Sequence, residues 1–91
     1  MAHAEKSVVI GSSVGLHARP ASLFVQAVAA SGHAVTVTKA SGEQADGSSI
    51  LSVLALGVPH GEEILLTVDG DDAEKIALEL ATLLASDLDA S

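Results

Sequence analysis

Ala73, Ile76, Ala77, Leu80, Leu83 and Leu84 fall on one stripe of a helix. A helix with one apolar stripe can be covered on one side only, so it must lie flat against another layer. That layer is written as alternation. Ile64, Leu66 and Val68 interleave with Leu65 and Thr67 before Asp69-Gly70 turns the chain, and Val35 to Thr38 keep the same period of two. Ile64 to Val68 is the best strand signal, and we expect it centrally in the sheet.

The remaining elements follow from local signals. Val8 to Ile10 is a short β-branched run, and Gly11, Ser12, Ser13 and Gly15 form a loop after it. From Ala18 to Ala30, Phe24, Ala27 and Val28 share a helical face with Pro20, and Ser31-Gly32 supplies a left-handed stop. Ala40-Ser41-Gly42 turns the second strand into a weaker one, Glu43 to Asp46. Ser48 and Ser49 are good helix caps, while Ile50, Leu51, Val53 and Leu54 make a short helical patch ended by Gly57 and Pro59. Asp71 with Glu74 three positions later predicts a capping box for the last helix. The order is βαββαβα, an α+β fold. It implies a mostly antiparallel four-stranded sheet with helices on one face, residues 1–91 forming one domain. His3 is expected in a leading tail, and Asp87 to Ser91 are expected to fray.

Composition removes whole classes of function. Phe24 is the sole aromatic residue, so the core is aliphatic and stacking on bases has almost no support. A formal charge of −8 repels nucleic acid and anionic membrane. No apolar run approaches the roughly 20 residues that span a bilayer, and Met1 to Lys6 lacks a signal-peptide core, so we expect a cytoplasmic protein with no membrane insertion. With no cysteine, disulfide and thiolate chemistry are absent. His33 and His60 stand beside glycines without the spacing of a metal site, so neither metal nor other cofactor is expected. Glu62-Glu63 reads as a solvated strand entrance, giving no carboxylate pair for hydrolysis.

The chemistry concentrates in Gly15, Leu16, His17, Ala18, Arg19, Pro20, Ala21 and Ser22. Proline is tolerated in a first helical turn, where its missing N–H had no partner, so His17 is placed at a helix N-terminus. Unpaired N–H groups and a partial positive charge there hold an anion. A neutral imidazole, with an unperturbed pKa of about 6.5, can attack phosphorus. The phosphoryl oxygens then meet the N–H groups of Ala18 and Arg19 and the guanidinium of Arg19, each charge-assisted bond contributing roughly 1.5 to 3 kcal/mol. Such a His-x-Arg also reads as a plain helix cap with a solvated arginine.

Gly15 to Ser22 resembles the active-site signature of the HPr family, the histidine-containing phosphocarriers of the bacterial phosphoenolpyruvate-dependent sugar phosphotransferase system. Ser49 to Gly57 resembles the family's regulatory-serine helix, and Gly61 to Ile64 its entry into the last strand. The resemblance implies an open-faced β-sandwich. It also implies that His17 takes a phosphoryl group on Nδ1 from phosphorylated enzyme I and passes it to enzyme IIA proteins, a phosphotransfer intermediate and not a free-standing enzyme. Arg19 is then the residue that steadies the phosphoryl group, and Ile50, Leu51 and Leu54 match the family's apolar docking patch, extended by Leu16, Pro20 and Phe24. The same apolar residues read equally as core. Ser49 aligns with a serine phosphorylated by a dedicated kinase, or is simply a helix cap. A regulatory module docking a serine kinase or transcription regulator, and a carrier for a parallel nitrogen or dihydroxyacetone kinase pathway, stay open as alternatives. Many relatives carry lysines where this chain has Gln26, Ala29, Ser48 and Ser52, so electrostatic attraction to an acidic partner is expected to be weaker. Actinobacterial members look similar in this respect. An exposed docking patch serving successive partners implies a monomer.

Overall fold

A computed structural model of the chain describes residues 3–11 and 15–86. Seven elements follow one another: β1 (His3–Val9), α1 (Ala18–Ser31), β2 (Ala34–Lys39), β3 (Gln44–Asp46), α2 (Ile50–Ala55), β4 (Glu63–Asp69) and α3 (Ala73–Ala85). The strands form one antiparallel sheet in the order β1-β4-β2-β3, so the strongest alternation sits between two partners. Ile64, Leu66 and Val68 point to the helix side and are buried, while Leu65 and Thr67 are only half-covered on the open face. The result is an open-faced sandwich whose aliphatic core also takes Val35 and Val37 from β2, Phe24 and Val28 from α1, and Ala77, Leu80 and Leu84 from α3.

Three local expectations are corrected. β1 begins at His3, because the register pairs His3 with Asp69 and His3 Nδ1 lies 2.7 Å from Asp69 Oδ1. That histidine belongs to the sheet and not to a tail. The capping box of α3 does not form: Asp72 stands at the N-cap in the left-handed region with φ 59°, without a side-chain capping bond. The first strand ends at Val9, and Ile10 follows it as a buried residue outside the ladder. Ser12, Ser13 and Asp87 to Ser91 lie outside the described residues.

His33 joins two elements. Its Nδ1 lies 2.7 Å from the Ser31 carbonyl and its Nε2 bonds the Asp71 carbonyl, so only the imidazolium can donate to both. Gly70, with φ 134°, makes room, since a Cβ there would come 2.6 Å from the ring. The Asp71 carbonyl first, and the Ser31 carbonyl second, raise the His33 pKa above its ordinary 6.5. His3 is raised too, chiefly by its bond to Asp69. A raised folded pKa contributes stability that is fully present below 6.5 and is lost as pH rises through the folded value. We therefore expect the melting temperature to fall as pH climbs above 6.5, with His33→Gln flattening the slope. Scanning calorimetry across that range checks this, and a melting temperature that rises with pH contradicts it.

Candidate functional site

His17 is exposed and stands at the N-cap of α1, with extended backbone at φ −101° and ψ −168°. Its carbonyl starts the helix by accepting from Ala21 N at 2.8 Å, but its imidazole makes no capping bond. The ring is therefore not consumed by holding up the helix. Ala18 and Arg19 are the first two helical positions, whose N–H groups have no acceptor within the helix, and Arg19 is exposed. Pro20 follows, and its missing donor removes nothing from that cradle.

The approach to His17 is set by a distant loop. Leu16 N donates to the Val58 carbonyl at 2.8 Å, and His17 N donates to the Gly15 carbonyl at 2.9 Å. Gly15 has φ 77°, and a Cβ there would lie 2.5 Å from Val58 O and 2.9 Å from Pro59 Cα, so only glycine fits. The loop is held in turn by Gly61 N on the Ile10 carbonyl and by Ile10 N on the Glu62 carbonyl, at 3.0 and 3.1 Å. This support was not foreseen, since a backbone carbonyl acceptor leaves no mark on residue type.

α2 packs against α1 and brings apolar side chains to the same side of the molecule. Val53 is fully buried, whereas Leu51 is 77% exposed, Ile50 37% and, on α1, Leu23 36%. Leu54 is only partly covered and packs on the core. Leu16, Pro20 and Phe24 are corrected: all three are buried and support the surface from within. Pro20 and Phe24 lie on the stripe of α1 that turns toward the sheet, as an amphipathic helix demands, Leu16 lies ahead of the helix, and position 23 is left outside. Leu23 was missed, although an apolar residue off the Pro20–Phe24–Val28 stripe was a readable signal.

Ser49 is the N-cap of α2, and its Oγ accepts from Ser52 N at 3.3 Å. Just before it, Ser48 N and Oγ donate to Asp46 Oδ1 at 2.9 and 2.7 Å, holding that carboxyl below its ordinary pKa. A charge pattern surrounds the whole region. No Asp or Glu occurs from 11 to 42 or from 47 to 61. A dianion on His17 therefore has Arg19 as its charged sequence neighbour and no carboxylate from either segment. Among the described residues no cluster of three metal-type ligands forms, and no helix is long and apolar enough to cross a membrane.

The comparisons agree with this fold. A family model described as the PTS HPr component phosphorylation site matches residues 4–86. The chain is 48% identical over 86 residues to the phosphocarrier protein HPr of Streptomyces coelicolor, an actinobacterium, covering 94% of this chain and 92% of that one. It is 34% identical to a stretch of the multiphosphoryl transfer protein of Salmonella typhimurium, covering 88% of this chain but 22% of that longer protein. A crystal structure of HPr from Bacillus anthracis superposes with a TM-score of 0.85 at 32% identity, covering 92% of this chain and 99% of that one. Matched by the family model over residues 4–86, by a relative at 48% identity and by a solved structure at a TM-score of 0.85, the chain belongs to the HPr family of phosphocarriers of the phosphotransferase system.

Proposed function

We propose that His17 is the phosphoryl-carrying residue, charged by phosphorylated enzyme I and discharged onto enzyme IIA proteins during sugar uptake. The observation that carries this is an exposed imidazole at the start of a 14-residue helix, free of any capping bond. The Nδ1 lone pair forms the new N–P bond as the N–P bond to the donor imidazole breaks and its electron pair returns to the donor nitrogen. No water, metal or redox partner takes part. Ala18 and Arg19 N–H groups and the Arg19 guanidinium receive the oxygens. Leu23, Ile50 and Leu51 form the docking surface on the packed pair α1 and α2, and His17 opens the first of these helices, an arrangement that suits in-line transfer between two proteins. The small carrier works in the cytoplasm as one domain and as a monomer, since the same face must release one partner before meeting the next. Ser49 keeps its capping role, and phosphate added there would place a dianion beside Ile50 and Leu51 and weaken docking.

The test is phosphorus NMR of the protein with phosphoenolpyruvate, magnesium and a catalytic amount of actinobacterial enzyme I. An acid-labile phosphohistidine signal is expected, and its absence with an enzyme I that charges another carrier refutes the proposal. In the same assay Leu51→Ser raises the apparent KM by about tenfold, since burying a leucine at an interface contributes about 1.5–3 kcal/mol, while the fold is unaffected. An unchanged KM removes Leu51 from the docking surface.

A further inference from the structure

Lys39 lies at the end of β2, and its side chain reaches the loop that supports His17. Nζ donates to the Leu56 carbonyl at 2.9 Å, just past the last residue of α2. It also stands 3.9 Å from Glu62 Oε2, a buried oxygen with no hydrogen-bond partner among the described residues. The two side chains are 16% and 26% exposed, so water competes poorly for either contact. The cation thus touches both ends of the 57–61 loop, one through a carbonyl and one through a carboxylate. Inside that loop the Val58 carbonyl accepts from Leu16 N, and Leu16 is bonded directly to His17. The root of Lys39 is itself fixed, because its backbone N–H donates to Glu43 O and its carbonyl accepts from Gly42 N in the β2–β3 hairpin.

We infer that Lys39 is a positioning residue for phosphotransfer: it clamps the 57–61 loop so that the Val58 carbonyl holds Leu16, and through it the His17 backbone, in one geometry. This rests on His17 being the phosphoryl acceptor. The clamp holds the C-terminal end of α2, while Ile50 and Leu51 sit at the other end under the Ser49 cap. Loss of the clamp therefore disturbs the reacting residue and not the docking surface, and its signature is a fall in kcat with KM unchanged. Misplacing a reacting group costs rate without weakening association.

The experiment compares the parent, Lys39→Met, which keeps the stem and removes the donor, and Lys39→Arg, which can still donate to the Leu56 carbonyl. Phosphorylation by enzyme I gives kcat and KM, and amide hydrogen exchange is followed at Leu16 and at Leu66 in the sheet core. We expect Lys39→Met to lower kcat and to speed exchange at Leu16, each by about tenfold, the size expected for one lost charge-assisted hydrogen bond. KM and the Leu66 amide stay as in the parent, and Lys39→Arg restores both quantities. Unchanged Leu16 exchange, or equal acceleration at Leu66, overturns the inference, the second by showing general destabilisation. A shift in KM alone also overturns it. If the parent accepts no phosphate, the reading of His17 fails, and exchange at Leu16 decides the clamp separately.

Discussion

Replacing His17 with alanine is expected to abolish phosphoryl acceptance and to leave the melting temperature where it was. Both halves follow from one geometry. The imidazole is exposed and makes no capping bond, so its removal breaks no packing, and surface substitutions of that kind stay within about 0.5 kcal/mol. The chemistry, by contrast, has no equivalent among the other histidines. His3 is bonded to Asp69, both ring nitrogens of His33 face carbonyl oxygens, and His60, in the loop that supports Leu16, opens no helix. Phosphorus NMR and acid lability of the product, read beside a calorimetric scan, check the pair of outcomes. An acid-labile phosphate that persists in His17→Ala moves the carrier function to another side chain.

Phe24→Ala has the opposite signature. Phe24 is the only aromatic residue and is completely buried, under the sheet side of α1. Its removal takes away a large apolar surface and leaves a cavity that small aliphatic neighbours cannot refill, at a cost of about 3–5 kcal/mol. Domains of this size hold only about 5–15 kcal/mol in total, so the variant sits close to unfolding. Denaturant titration measures the loss directly, and a value under about 1 kcal/mol would show that the helix repacks freely. The molecules that stay folded keep His17 and still accept phosphate. Leu51→Ser gives the mirror image, full stability with weaker docking, and the two variants together separate the inner wall of α1 and α2 from their outer face.

What could be read from the chain alone is what depends on neighbours in sequence. Period-two and period-3.6 patterns commit Ile64 to Val68 to a strand and Ala73 to Leu84 to a helix, because each pattern can bury its apolar residues in only one backbone form. The place of His17 is equally local: Pro20 in the first turn requires a helix to start just before it. Which apolar residues face outward was decided later. Phe24 and Leu23 are both apolar and on different faces of α1, and only the packing of α1 over the sheet decides that the first is covered and the second exposed, while Leu16, ahead of the helix, is buried where its backbone bonds Val58. His3 becomes a strand residue because Asp69, 66 positions away, is its partner. The contacts that hold the His17 backbone, Leu16 to Val58 and Lys39 to Leu56, run through carbonyl oxygens that every residue carries. Residue types therefore determined the elements and the place of His17 at a helix start. The tertiary structure alone decided exposure and positioning, because both depend on how separate elements meet in space.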